Sequence, residues 1–139
     1  QDTGAIAEGW AGYGMLHTAA GRVGALDVGF VPAEGGTATA DILGGGLKTV
    51  VLLGADEVDL SKLGAAKVIY VGSHGDAGAS RADIVLPCAA YTEMSATYVN
   101  TEGRVQMTTR AVQPKGDARE GWAIFRALSA MMGKVLPYD

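Results

Sequence analysis

The sequence predicts an α/β fold: a parallel sheet flanked by helices, followed by a C-terminal β-hairpin and a helix. Three observations predict it. Three apolar runs, Val50-Val51-Leu52-Leu53, Val68-Ile69-Tyr70-Val71 and Ile84-Val85-Leu86, recur at a spacing of about 16 to 18 residues, which suits strands joined by short crossovers. Thr97-Tyr98-Val99 and Arg104-Val105-Gln106-Met107 then flank a Thr101-Glu102-Gly103 turn, the pattern of a three-residue hairpin. Finally, Ile124, Phe125, Leu128, Met131, Met132 and Val135 form one apolar stripe at helical spacing. A chain of 139 residues is enough for one domain with a genuine core, so 1–139 is expected to be a single α/β domain.

Residues 1 to 11 are polar and glycine-rich and are expected to be loosely ordered. From Gly12 to Leu26, the positions Leu16, Ala19, Ala20, Val23 and Leu26 mark one helical face, slender because Gly21, Gly24 and Ala25 carry little side chain. Pro32 and Gly35-Gly36 make 29 to 38 a loop, and Asp41 to Gly46 is a turn or short helix leading into the first strand. Lys48 and Lys67 each precede an apolar run that closes on glycine, Gly54 or Gly72, an internal echo. Ile84 to Leu86 is short and continuously apolar, so it is expected inside a sheet covered on both faces, and Pro87 ends its pairing for want of an N–H. Gly103 supplies the positive φ of the hairpin. Asp117 with Glu120 has capping-box spacing for the last helix, Phe125 and the two methionines are expected to pack on a sheet face, and Gly133 and Pro137 bring the helix to its end.

Composition excludes several classes of function. Hydrophobic residues are 48% and charged residues 19%, and the net charge is -4, the wrong balance for binding nucleic acid, which wants clustered Lys and Arg. No run is long and apolar enough for a membrane span, and Gln1-Asp2-Thr3-Gly4 lacks the basic start of a signal peptide. One cysteine, Cys88, can form neither an internal disulfide nor a four-thiolate cluster cage; it reads as a small buried apolar residue in a reducing compartment. The absence of an initial methionine and the abrupt Leu136-Pro137-Tyr138-Asp139 end lead us to expect a segment of a longer polypeptide.

The places for chemistry are the strand ends, where open α/β sheets bind ligands: Gly54-Ala55-Asp56 and Gly72-Ser73-His74-Gly75-Asp76. Neither is a G-x-G-x-x-G fingerprint. His17 and His74 are too few for a metal site, although Asp76 lies close enough in sequence to tune His74. Ser73 and Ser80 sit in no G-x-S-x-G elbow. We therefore assign no catalytic, cofactor-binding or metal-binding residue.

The run from Arg81-Ala82-Asp83-Ile84-Val85-Leu86-Pro87 through Ala90-Tyr91-Thr92-Glu93-Met94 to Asn100-Thr101-Glu102-Gly103-Arg104-Val105-Gln106 resembles the corresponding segment of the molybdopterin oxidoreductases. Within them it is most similar to the large iron–sulfur subunits of respiratory complex I, the NADH-quinone oxidoreductases. The resemblance implies a Rossmann-like domain. It also implies that working molybdenum enzymes carry a Gly-Glu-Asn-Pro-like turn after the first strand and an acid after the second. Here Gly54-Ala55-Asp56-Glu57 lacks the Asn-Pro, Val71-Gly72-Ser73 has no acid, and Asp76-Ala77-Gly78 replaces the usual Thr-Glu-Thr. A retained scaffold without a cofactor of its own is thereby implied, with Asn100, Thr101, Glu102 and Arg104 as remnants of a cofactor-facing hairpin. For the whole subunit the resemblance implies electron transfer from NADH toward quinone through 2Fe-2S and 4Fe-4S clusters held by N-terminal cysteines that are absent here. It implies a non-catalytic docking role for these residues. The implied partners are the N-terminal part of the same polypeptide and other subunits of the peripheral arm. The implied location is peripheral, without direct membrane insertion, on the cytoplasmic face of a bacterial inner membrane or the matrix side of the mitochondrial one. The alternative is a cofactor-binding segment of a molybdenum or tungsten enzyme that holds molybdopterin guanine dinucleotide; a free-standing nucleotide-binding module is disfavoured by the missing fingerprint.

Overall fold

The computed structural model describes residues 4 and 6–138. In chain order the elements are β1 (Ile6–Ala7), β2 (Trp10–Ala11), α1 (Arg22–Asp27), α2 (Thr39–Leu43), β3 (Thr49–Leu53), a 3₁₀ turn (Leu60–Leu63), β4 (Lys67–Gly72), α3 (Ala77–Arg81), β5 (Ile84–Pro87), β6 (Ala96–Val99), β7 (Val105–Thr108) and α4 (Gly121–Met131). They fall into two units, one of 1–31 with 97–106 and one of 32–96 with 107–139. The fold is the expected mixed α/β one, with a parallel three-stranded sheet, a hairpin and a C-terminal helix.

The second unit holds the sheet, in the order β3-β4-β5 and parallel throughout. Its register sets Val50 beside Val68 and Leu52 beside Tyr70, so these side chains share one face. Both crossovers pack on that face: Leu60, Leu63 and Ala66 from the first are buried with the strand residues, and Ala79 and Ala82 from the second pack against them. That is the consequence of right-handed crossovers advancing in one direction across a sheet. The crossovers are as short as expected, a 3₁₀ turn and the five-residue α3. Asp59 starts the 3₁₀ turn, its carboxylate accepting from Ser61 N at 3.3 Å.

The edge strand departs from expectation. Ile84 is 52% exposed on the face opposite the crossovers and Val85, which the register sets beside Tyr70, is 49% exposed on the crossover face, while β3 alternates buried with exposed residues. β5 is the edge of the sheet; opposite the crossovers Val51, Leu53 and Ile84 are exposed and Val71 is buried.

The helices are also shorter than the apolar spacing predicted. In the first unit, α1 begins only at Arg22, and Leu16 lies exposed outside it. Gly12, Gly14 and Gly21 explain the loss, since each glycine costs a helix about 1 kcal/mol relative to alanine and a short helix cannot absorb that. Of the loosely ordered start expected over 1–11, residues 1–3 and 5 lie outside the described residues; Ile6–Ala7 pairs antiparallel with Trp10–Ala11. In the second unit, α4 is capped at Glu120, with no capping box from Asp117. The cause is tertiary: Arg119 pairs with the end of β5, donating its N–H to Pro87 O at 3.2 Å and accepting from Ala89 N at 2.8 Å. Helical geometry can start only after this bridge. Phe125 is half-buried, but Met131 and Met132 are 86% and 69% exposed and do not pack in a core.

Candidate functional site

The carboxyl ends of β3 and β4 open on a cavity of about 380 Å³ in the second unit, lined by Gly54, Asp56, Tyr70, Ser73, His74 and Asp76 among others. Gly54 adopts φ +56 as the chain leaves β3, which sends the next residues back over the strand ends. Asp56 then reaches two partners far away in sequence. One oxygen accepts from the Tyr70 hydroxyl at 2.7 Å and the other from Gly78 N, in the first turn of α3, at 2.7 Å. Tyr70 points from the buried strand β4 into this cluster, and two glycines make room for its ring. A Cβ on Gly72 would overlap the Tyr70 ring, and one on Gly78 would lie 2.5 Å from Tyr70 Cε2 and 2.8 Å from Asp56 Oδ1. Burial, reinforced by the hydrogen bond to Asp56, pushes the Tyr70 hydroxyl up to about 12.

Sequence spacing missed this cluster, although it left one signal. A tyrosine within an otherwise aliphatic buried strand carries a hydroxyl that needs a partner. What the spacing did single out is less connected. Ser73 and His74 share a 2.9 Å contact between Oγ and Nδ1 at the exposed rim, so the His74 ring meets Ser73 rather than the Asp76 carboxylate. Ser80 lies on α3, where its N–H donates to Asp76 O. Cys88 is buried as expected, and desolvation raises its thiol above the usual range. His17 lies ahead of α1 in the first unit. Among the described residues no group of three or more His, Cys, Asp or Glu is placed to hold a metal. The cavity lining contains two carboxylates, Asp56 and Asp76, and neither lysine nor arginine.

The segments with the most distinctive sequence spend their polar groups on nearby backbone and side chains. Asp83 ties the start of β5 to the start of β4: one oxygen accepts from Lys67 Nζ at 2.9 Å and the other from Val68 N at 2.8 Å. The Lys67 hydrogen bond, then that from Val68 N, holds its carboxyl below the usual range. Arg81 donates to Gly64 O and Ala66 O at 2.9 and 3.1 Å, closing the loop before β4. In the hairpin turn, Asn100 Oδ1 accepts from Glu102 N at 3.0 Å and Arg104 N at 2.9 Å, and Gly103 adopts φ +82. Glu102 is exposed, with Asn100 Nδ2 at 3.5 Å and Arg104 at 4.0 Å. Asn100, Glu102 and Arg104 thus turn the chain, with their bonds spent inside the loop.

Residues 1–131 match the family profile described as Molybdopterin oxidoreductase. The chain is similar to curated proteins named NADH-ubiquinone oxidoreductase 78 kDa subunit, mitochondrial: 51% identical over 94% of this chain for that of Candida albicans, and 52% over 96% for that of Neurospora crassa. It is 46% identical, over 94% of its length, to the NADH-ubiquinone oxidoreductase 75 kDa subunit of Reclinomonas americana. The chain spans 17%, 18% and 19% of these three relatives, less than a fifth of each.

Proposed function

Because the chain belongs to the molybdopterin oxidoreductase family, we propose that it serves as a non-catalytic scaffold segment within the large subunit of an NADH–ubiquinone oxidoreductase. The subunit would pass electrons from NADH toward quinone through 2Fe-2S and 4Fe-4S clusters bound outside these residues, and this segment would dock against the rest of its polypeptide and against neighbouring subunits. The relatives' names support the complex, and the lone buried Cys88 supports placing the clusters elsewhere. A peripheral location at the membrane fits the finding that no described helix is long and apolar enough to cross one.

One observation carries the scaffold reading: the Asp56 carboxylate already occupies Gly78 N–H, the kind of strand-end donor that a dinucleotide's phosphate would need. A molybdopterin guanine dinucleotide would bring its pyrophosphate to a cavity lined by two carboxylates and by neither lysine nor arginine. The residues present do not fit that group. In its place Asp56 joins three elements covalently remote from one another, the end of β3, the middle of β4 and the start of α3, which is a stabilising role.

The test is elemental analysis of the purified polypeptide for molybdenum and tungsten, with calorimetric titration of the 139-residue segment by GTP and NADH. We expect no stoichiometric metal of either kind and no binding isotherm at micromolar concentration, since a useful site needs several convergent polar groups. Molybdenum or tungsten at one per chain, or saturable GTP binding, would favour the cofactor-binding alternative.

A further inference from the structure

The stretch from β7 into α4 gathers basic side chains in a chain that is acidic as a whole. Residues 107–126 hold four of the 11 lysines and arginines and only two of the 15 acids, so positive charge is concentrated on one part of the second unit. There a cleft of about 360 Å³ is lined by Arg110, Pro114, Arg119, Glu120 and Trp122, with the buried Ala118 in its wall. Its two arginines are positioned but not neutralised. Arg119 Nη1 donates to Ala118 O at 2.8 Å and to Gly116 O at 3.4 Å, and its Nε and Nη2 have no partner among the described residues. Arg110 is held through its backbone, the N–H donating to Ser95 Oγ at 3.1 Å, while its guanidinium makes no hydrogen bond or ion pair with any described residue. The one acid of the cleft is engaged elsewhere: Glu120 Oε2 accepts from Trp122 Nε1 at 2.6 Å. The indole also meets the Tyr138 ring edge-on at 6.2 Å and is 48% exposed, so an ordered aromatic surface stands in the same cleft as the free guanidiniums. Arginine and tryptophan are the residues on which interfaces concentrate their binding energy.

Resting on the reading above that this segment docks within a larger complex, we propose that the Arg110–Arg119 cleft receives an acidic segment of a neighbouring subunit, through one Asp or Glu carboxylate. Charge selects the occupant. Two guanidiniums against the Glu120 carboxylate leave the cleft with a single net positive charge, which matches a monoanionic carboxylate better than a phosphate dianion. Guanidinium groups fork onto carboxylates in two parallel hydrogen bonds and shed their water more readily than ammonium groups do. Trp122 and Pro114 offer apolar surface to the residues flanking that carboxylate, which a free ion would leave unused, so the partner is a peptide segment.

The experiment introduces Arg110→Lys into the full-length polypeptide and treats the assembled complex with a water-soluble carbodiimide, which joins an amine to a carboxylate in contact with it. Peptide mass spectrometry should find a new amide between position 110 and an Asp or Glu of another subunit, absent from the wild type because a guanidinium does not couple. Arg110→Glu supplies the second readout: the large subunit should leave the complex about tenfold faster at moderate salt, since a carboxylate would then face a carboxylate, while Arg110→Lys holds near the wild-type rate. Thermal melts of the isolated full-length polypeptide should be the same for all three, because the Arg110 side chain has no partner within the described residues. A cross-link confined to the polypeptide's own residues, no protein cross-link at all, or wild-type retention of Arg110→Glu would each overturn the proposal. A cross-link to an acidic residue of some assembly other than an NADH–ubiquinone oxidoreductase would sink the functional reading and leave this inference standing.

Discussion

Tyr70 and Asp56 are the pair on which the strand-end region turns. The Tyr70 hydroxyl is held up to about 12, above the value near 10 of an unfolded tyrosine. Between pH 10 and 12 the folded chain keeps a proton that the unfolded chain has lost, so stability falls as pH rises through that window. Its contribution is fully present below pH 10, and the two-unit shift corresponds to a loss of about 2 to 3 kcal/mol by pH 12. We expect one tyrosine to titrate near pH 12 in the tyrosinate absorbance and that step to vanish in Tyr70→Phe; a wild-type protein whose tyrosines all titrate near 10 would contradict it. The pair was illegible in the sequence for a physical reason. Asp56 lies 14 residues from Tyr70 and 22 from Gly78, and only the β3–β4 register and the return of α3 bring them together. Gly103, by contrast, was legible because a turn's need for positive φ is settled within a few residues.

Among the elements, the hairpin is the most self-contained and makes the sharpest stability prediction. A Cβ at Gly103 would meet nothing within 4 Å, so the cost of Gly103→Val is the φ of +82 alone, about 1 to 3 kcal/mol in urea melts. Asn100→Ala should cost about 1 kcal/mol by leaving Glu102 N and Arg104 N to water, and exposed Glu102→Ala less than either. A larger loss for Glu102→Ala would mean the carboxylate has a buried partner and the turn is a site. The three strands, the crossovers and the hairpin were legible because each rests on local pattern. The helices were less so. The spacing from Leu16 to Leu26 is helical, but it cannot show that glycines at 12, 14 and 21 leave too few residues to hold a helix together. Asp117 has the right offset from Glu120, but the bridge between Arg119 and Cys88 claims the backbone first.

At the scale of the whole molecule, the sequence is more apolar than the described fold can bury. The run at Ile84 to Leu86 predicted a strand covered on both faces, and Ile84 and Val85, which point to opposite faces of this edge strand, are both exposed. At the strand ends, where open α/β sheets place their ligands, the Asp56 carboxylate accepts from Gly78 N. The central claim, that this region supports an NADH–ubiquinone oxidoreductase without taking part in its chemistry, is tested most directly by turnover per assembled complex. The variants are Ser73→Ala and His74→Gln at the rim of the strand-end cavity, with Val68→Asp in the core as the contrast. Val68→Asp should lower the amount of complex, because a buried unpaired charge costs several kcal/mol, while the complexes that do assemble turn over normally. The rim variants should assemble fully and transfer electrons from NADH to quinone at the wild-type rate. A rim variant that assembles fully yet loses about tenfold in turnover, some 1.4 kcal/mol in the barrier, would contradict the account.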